Sequence, residues 1–498
     1  MTGKGTIFHI IGAIIVLFWL VMMSLLVSGH GLSRNQVTSI QKGNKLPIQR
    51  PEQEWMEIFL NTHKVGYSFT SIRPLDQGYM IREEIFMQLQ VMGVPGSVRT
   101  VSNSVVDEKF IVKQFRFQVT SGVVCFDVSG KVRDGWLFIE RKIKGKKRVQ
   151  KLKLQSPPIS SAAIPFILST RKLKVGETME VPIFDPSTMT QLHAVIRVVA
   201  RESITIHATQ YQAVRLETDF MGQQLTFWVS DEGELLKQTG LMGLTLIRSS
   251  PSRAMKGIGN GKEEELYDMV AITPRKKIRR PRKVSWLRVR IVGVDPKEIY
   301  TDQGDLRQSI NKDVLTIKME NLPNPSTQWE DLSNKGKSDL NTFLKPEINI
   351  ESDAAQIKAK AAKITAGTVN RVEMARRLLQ WVYQNLEKRP VFGIPSALET
   401  LEKGVGDCNE HAALLTALLR ASGIPARVCI GLVYTRGRFF YHAWTEAFLY
   451  GQWVTMDPTL NQMPADATHI KLAQGRLGKQ VQIIRLMGRL GLEVIGEK

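Results

Sequence analysis

The sequence predicts an α+β protein: an N-terminal transmembrane helix, then an antiparallel β-rich domain, then a domain that mixes helices with a further sheet. Three observations carry that prediction. Thr6 to Val27 is an apolar run with no formally charged side chain. From about Glu54 to Arg253, apolar and polar residues alternate with the period of a half-buried strand. From about Ser352 the period lengthens to that of a helix, and it returns to alternation after Pro425. At 498 residues the chain exceeds what one core supports, and 43% hydrophobic with 23% charged residues excludes wholesale disorder.

The first element is "TIFHIIGAIIVLFWLVMMSLLV", residues 6–27. As a helix it spans about 33 Å against a hydrocarbon core of about 30 Å. It is longer than the apolar region of roughly 7–15 residues in a signal peptide, so an uncleaved anchor is expected, although Val27 and Gly29 loosely imitate a cleavage site. Lys4 precedes the run, whereas Arg34, Lys42, Lys45 and Arg50 follow it. Charge alone favours a cytoplasmic body, but long domains cross largely regardless of such charge. A single-pass protein with a periplasmic or otherwise extracytoplasmic body is the expectation. The net charge of +21 fits anionic lipid or an acidic envelope polymer as contact, and the membrane run sets nucleic acid aside. Cys125, Cys408 and Cys429 are an odd set without the spacing of a disulfide framework.

Residues 54–253 form the β-rich domain. "YMIREEIFMQLQVM", "KQFRFQVTS" and "QQLTFWVSDEGELLKQTG" alternate between turn residues, and "SDEGEL" reads as a hairpin. A curved sheet, partial barrel or sandwich follows from so many consecutive strands, with "PPISSAAIPFILSTRKL" interrupting them as a short helix. The strand pattern is similar to that of β-rich half-barrel domains of bacterial envelope proteins. No nucleophile and base pair up here, so the domain is a spacer or a binding surface.

Residues 254–283 read as a basic linker. "GIGNGK" lacks the spacing of a phosphate loop, and "RKKIRRPRK", Arg275 to Lys283, reads as solvated linker or as a patch for anionic head groups, at about 1 kcal/mol per basic residue. Residues 284–345 supply a small β module through "VSWLRVRIVGV" and "KDVLTIKMENL". Then "NRVEMARRLLQWVYQNL" places Val372, Ala375, Leu378, Leu379, Val382 and Leu386 on one helical stripe, with Asn370 and Glu373 as its cap pair, and "PSALETLEKG" is a shorter helix ending at Gly404.

The chemistry concentrates at "GDCNEHAALLTALLRASGIPAR". Asp407 with Glu410 resembles a capping box, so Cys408 takes the first helical position. A helix start favours a thiolate through its unpaired N–H groups and dipole, but Asp407 and Glu410 oppose that, so a cationic partner is required. "ARVCIGLVY", "FFYHAWTEAFL" and "WVTMDPT" read as three antiparallel strands. A two-residue loop at Tyr450-Gly451 makes His442 oppose Thr459 with Asp457 one diagonal step away, and a one-pair slip would put Asp457 directly opposite. In either register imidazole and carboxylate meet. Cys408 as nucleophile, His442 as base and later acid, and Asp457 as the group that orients the ring then form a thiol-based constellation. The alternative for Cys408 alone is a packed core thiol. Cys429 and the tryptophans Trp444 and Trp453 read as core or wall, and Arg427 has Asp407 or Glu410 as candidate partners. His411 with His442 and Asp457 lacks zinc-type spacing, so neither metal nor organic cofactor is called for.

These three stretches, with the Gly-Ile-Pro-Ala-Arg strand start, resemble the transglutaminase-like superfamily in order and spacing over about residues 350–462. The resemblance implies a papain-like α+β core across residues 350–475, with the cysteine helix packed on an antiparallel sheet. It implies the roles of Cys408, His442 and Asp457 given above and an oxyanion donor upstream of the cysteine, near Tyr383, Gln384 and Asn385. Its members include amide hydrolases, amine transferases and inactive descendants. The expected function is cleavage or transfer at an amide of a peptide or protein substrate, hydrolysis favoured. A catalytically inactive envelope scaffold is the alternative, and peptidoglycan peptide processing fits the anchor and charge without a residue signature. Residues 476–498 read as a closing strand pair or a short helix.

Overall fold

The computed structural model describes residues 38–39, 53–91, 94–121, 124–143, 146–169, 173–185, 190–220, 223–240, 243–259, 271–299, 306–323, 340–389, 396–475 and 481–498. The expected anchor at 6–27 lies outside them. Among the described residues no helix is long and apolar enough to cross a membrane. The chain divides into two compact units, one up to residue 266 and one from 267 to 498.

The N-terminal unit is a single 15-stranded sheet. Eight strands, from Gln53–Leu60 to Lys146–Lys153, run up and down as one meander, and six more, from Thr178–Asp185 to Leu244–Ser249, form a second. The last strand of the second meander pairs antiparallel with the first of the other, Leu244 to Leu60 through Ser249 to Trp55. Only the two-residue strand Thr38–Ser39 runs parallel to its neighbour. Alternation makes one face apolar: Met56, Ile58, Ile85, Val98 and Phe117 are buried. Right-handed twist curls so long a sheet, and Ile159 bridges Ile111 on one side and Ile183 on the other. The short helix appears as Ile164–Ser169, entered by a turn at Ser161–Ala163. This unit is the large antiparallel β-rich domain that the alternation predicted.

In the C-terminal unit we number the elements around the site: α1 (Ala355–Thr365), α2 (Arg371–Asn385), α3 (Ala397–Lys403), α4 (Cys408–Ala421), β1 (Ala426–Thr435), β2 (Arg438–Leu449), β3 (Gln452–Met456) and β4 (Ile470–Gln474). The sheet order is β3-β2-β1-β4, all antiparallel. The amphipathic pattern of α4 suggests one buried stripe, yet every residue from Cys408 to Arg420 is buried. α1, α2 and α3 cover the side that the sheet leaves open. Polar groups on that buried helix therefore have to find partners inside the protein: Arg420 donates to Ala426 O, Lys345 O and Glu347.

One expectation is qualified here: the basic run 275–283 is exposed at most of its basic residues but is not a solvated linker throughout. Ile272 bridges Phe439, Ile278 is buried with its N–H on the Tyr434 hydroxyl, and Arg282 forms an ion pair of 3.0 Å with buried Asp466. Ile278 within the charges and Ile272 just before them anchor the run, and a basic count conceals that. The C-terminal tail closes on a strand, as its pattern suggested: Gly491–Glu497 pairs with Trp286–Val292, completing a four-stranded sheet with Gln308–Asn311 and Val314–Lys318. The small β module thus takes its edge strand from nearly 200 residues downstream, a pairing that local pattern does not reveal.

Candidate active site

Cys408 is positioned by the start of α4. Asp407 accepts from Asn409 N at 2.8 Å, and Glu410 Oε2 accepts from Asp407 N at 3.1 Å, which is the reciprocal cap read from the sequence. Gly406 is needed for that turn, since a Cβ there would lie 2.4 Å from Glu410 Cβ. Residues four apart on a helix share a face, so Cys408, Ala412 and Thr416 face β2 together. Ala443 N–H donates to Cys408 Sγ at 3.3 Å, Thr445 Oγ1 donates to Ala412 O at 3.1 Å, and Thr416 and Thr445 hydroxyls meet at 3.2 Å. The thiol therefore lies against the strand carrying His442, one residue from it.

β2 and β3 supply the other two groups. Tyr450 and Gly451 have φ of 43° and 91°, the pair of positive values that a tight two-residue hairpin turn requires. Pairing runs from Leu449 with Gln452 to Thr445 with Met456. Continuing that count sets Trp444 opposite Asp457, so the unslipped register holds and His442 reaches Asp457 diagonally. His442 Nε2 donates to Asp457 Oδ2 at 2.8 Å. His442 Nδ1 is buried without a hydrogen-bond partner among the described residues. Cys408, His442 and Asp457 are 1%, 2% and 0% exposed. Helix α4 packed on a four-stranded antiparallel sheet, with the thiol at the helix start, is the arrangement that the resemblance implies.

Residues 358–458 match the transglutaminase-like superfamily. A second family, described as a protein of unknown function (DUF3108), matches residues 131–242. No curated protein matches. Among solved structures, the chain is similar to a candidate cysteine protease from Cytophaga hutchinsonii, 20% identical over 42% of this chain and 79% of that one, with a TM-score of 0.27. It is also similar to a β-barrel-like protein of domain family DUF1849 from Brucella abortus, 11% identical over 40% and 95%, with a TM-score of 0.32. A candidate protease from Parabacteroides distasonis is 11% identical over 80% of this chain and 67% of that one, with a TM-score of 0.21.

Around the transglutaminase-like site the structure adds residues that the sequence did not single out. His469, just before β4, donates from Nε2 to the same Asp457 Oδ2 at 2.9 Å, and its Nδ1 donates to Asp466 O at 3.1 Å. Asp457 Oδ1 accepts from Thr459 N at 2.7 Å, Leu460 N at 3.0 Å and the Thr459 hydroxyl. Burial would push the Asp457 carboxyl up, but His442 and His469 outweigh it and hold it well below the usual carboxylate range. Burial pulls His469 down, and Asp466 with Asp457 more than reverses that, so this imidazole is raised. Lys388 donates to Thr459 O at 3.0 Å and lies 3.7 Å from the centre of the Tyr383 ring. Burial lowers it to about 8. His469 and Lys388 come from distant parts of the chain, and the only textual hint is the Asp-x-x-His spacing of Asp466 and His469.

The thiol is not activated by its helix. Burial, then the Asp407 carboxylate, pushes Cys408 well above the ordinary thiol value, against which the Ala443 N–H works only in part. The opposition expected from Asp407 and Glu410 is therefore real. His411 is held near 4 by burial, with Nδ1 donating to Asp407 O at 2.6 Å, so it is a neutral core histidine. The ligand-type side chains that converge are instead His442, Asp457 and His469, whose donor atoms lie within 4.8 Å of one another. Each Nε2 already places a proton on the shared oxygen, so a cation there would displace two charge-assisted hydrogen bonds.

The remaining candidates fall as follows. Arg427 turns to Glu446 on β2 at 2.7 Å rather than to the α4 cap, and its guanidinium lies 3.9 Å from the centre of the Trp453 ring. Opposing strand residues sit closer than a helix cap across the sheet. Cys429 is buried core. The side chain of Cys125 lies outside the described residues. Trp444 is buried edge-on against His469, ring centres 5.3 Å apart, as a wall of the site. Asn385 donates back to Trp381 O on its own helix, and Gln384 is exposed, so neither serves the thiol as an oxyanion donor in this arrangement.

Proposed function

We propose that the transglutaminase-like segment is a thiol-dependent enzyme that cleaves or transfers the acyl group of an amide in a peptide or protein, with hydrolysis favoured. What carries the reading is the way His442 divides its nitrogens: Nε2 is spent on Asp457, and Nδ1 stays unpartnered beside the strand residue that holds the sulfur. Cys408 rests as a thiol. On attack, Nδ1 takes the thiol proton while sulfur bonds to the carbonyl carbon. The imidazolium then protonates the leaving nitrogen, the C–N bond breaks and a thioester remains. Water, giving its proton to the same nitrogen, releases the acid and restores the thiol; an amine in its place gives transfer. Asp457 stabilises the imidazolium, and the two histidines on its Oδ2 keep it ionised for that task. The Cys408 N–H at the start of α4 is the candidate oxyanion donor.

Anchoring by residues 6–27, with the body outside the cytoplasm, belongs to the same proposal and rests on the length and apolarity of that run. The test is incubation of the full chain with a peptide library and mass spectrometry of released amine or ammonia. Release is expected from the parent and lost in Cys408→Ala. One observation favours the second reading, a catalytically silent envelope module: the thiol is buried and raised. An alkylation profile of Cys408, with Cys125 and Cys429 replaced, that shows no inflection below the ordinary thiol value in the presence of any peptide would decide for that module.

A further inference from the structure

The curled sheet of the N-terminal unit encloses a cavity of ≈110 Å³. One water needs about 10–15 Å³ on the same measure, and a cavity of about 150 Å³ holds benzene, so about six carbons is the upper limit for an occupant of this one. Its wall is mostly apolar, with Met56, Ile85, Leu216 and Phe227 from the strands and Ile164 and Leu168 from the short helix. Three glutamates line it, Glu54, Glu83 and Glu84, and Glu83 is the one that also lines the neighbouring pocket. A second cavity of ≈20 Å³, with Ser102, Ser104 and Ser160 in its wall, adjoins at the same side chain. The register explains this polar spot. Glu83 pairs with Thr70 on one neighbouring strand and with Ser102 on the other, so carboxyl and hydroxyls emerge in line on the inward face.

The wall is unbalanced in charge. Glu54, Glu83 and Glu84 line the larger cavity, while no lysine, arginine or histidine does among the described residues. Burial raises the Glu83 carboxyl to about 7. Among the described residues it forms neither a hydrogen bond nor an ion pair. Glu84, the next residue, has Arg82 and Arg99, but on the opposite face. A carboxyl placed in apolar surroundings without a protein cation is costly unless something else supplies the positive charge.

We propose that this cavity is a binding site for a small cationic amphiphile, a primary amine on an alkyl chain or ring of up to about six carbons. The ammonium donates to Glu83 and to the Thr70 and Ser102 hydroxyls, which matches its three N–H groups. The hydrocarbon part takes the place between the sheet and the short helix, at about 0.8 kcal/mol per buried methylene. An anionic amphiphile of equal length finds no donor with charge and meets the Glu83 carboxyl instead.

The experiment is calorimetric titration of the full chain with n-hexylamine, n-hexanol and hexanoate at pH 7.5. Hexylamine is expected to bind saturably, hexanol more weakly and hexanoate at least about tenfold more weakly than the amine. Glu83→Gln removes the preference of amine over alcohol while leaving the alcohol. Ala162→Phe, which fills the cavity from the turn before the short helix, abolishes all saturable binding with the sheet intact by circular dichroism. Absence of saturable hexylamine binding to the parent overturns the proposal, as does hexanoate binding as tightly as the amine. Hexylamine binding unchanged by Ala162→Phe does the same, whatever Glu83→Gln does to folding.

Discussion

Replacing His469 tests how the site is held together. Its imidazole donates from Nε2 to the Asp457 carboxylate at 2.9 Å and from Nδ1 to the Asp466 backbone carbonyl at 3.1 Å, the Asp466 carboxylate lies 3.4 Å from Nδ1, and the ring is fully buried. His469→Leu keeps the volume roughly and removes both hydrogen bonds. Breaking one partner out of a buried charged set costs about 3–5 kcal/mol. Asp457 keeps His442 and two backbone N–H groups, and Asp466 keeps Arg282, so the lower end applies, about 3 kcal/mol. For a unit of this size that lowers Tm by about 6–12 °C. His469→Gln retains one donor and loses about half as much. The pH dependence has a definite sign. A histidine whose folded value is raised stabilises fully below its unfolded value, about 6.5, and that contribution is lost as pH rises through the folded value. Thermal melts followed by near-ultraviolet circular dichroism, where Trp444 reports on the site, should therefore show a larger deficit for His469→Leu at pH 6 than at pH 10. A Leu variant that melts within about 2 °C of the parent at pH 6, or a deficit that grows toward alkaline pH, would refute the charged-partner argument.

The remaining predictions concern the thiol and the sheet. Asp407→Asn keeps a capping side chain but removes the carboxylate that raises Cys408. Iodoacetamide modification of Cys408 at pH 7.5, with the other two cysteines replaced, should become severalfold faster, and an unchanged rate would mean that burial alone sets the thiol. Gly431→Ala puts a Cβ 1.9 Å from Ile470 O and 2.8 Å from Trp444, so β4 must move off β1. Its urea midpoint should fall by at least the about 1–3 kcal/mol typical of overpacking, and hydrogen exchange should locate the loss at Ile470 to Ala473. Glu446→Gln leaves Arg427 and Lys471 as buried cations, each formerly within 2.9 Å of it. The expected cost is about 3–5 kcal/mol in denaturant unfolding, whereas a loss under about 1 kcal/mol would show that water reaches the pair.

Much of the site was legible because its geometry is local. A capping box sets where α4 begins, and with it Cys408. A two-residue turn fixes strand register, and with it the diagonal between His442 and Asp457. Both are read within stretches of about ten to twenty residues, where bonded geometry leaves few alternatives. His469 and Lys388 were not legible in the same way. Each enters the site only because β4 pairs beside β1, or because the segment after α2 runs beside Thr459, and neither contact leaves a periodic trace. The seating of "RKKIRRPRK" was not legible for a related reason, although six of its seven basic residues are exposed. Net charge describes the run, while two buried isoleucines decide where it lies.

Alternation by itself determined that residues 54–253 would be antiparallel strands, and helical period determined where α2, α3 and α4 would form. Hydrogen bonding and side-chain direction repeat along the chain there, so nearest neighbours contain the answer. Only the tertiary structure decided that a carboxyl on an inward strand face would reach a mostly apolar cavity, that one carboxylate oxygen would serve two histidines, and that burial would raise the thiol. Those outcomes depend on which distant surfaces exclude water from a group, and desolvation is a property of the assembled fold, not of any segment in it.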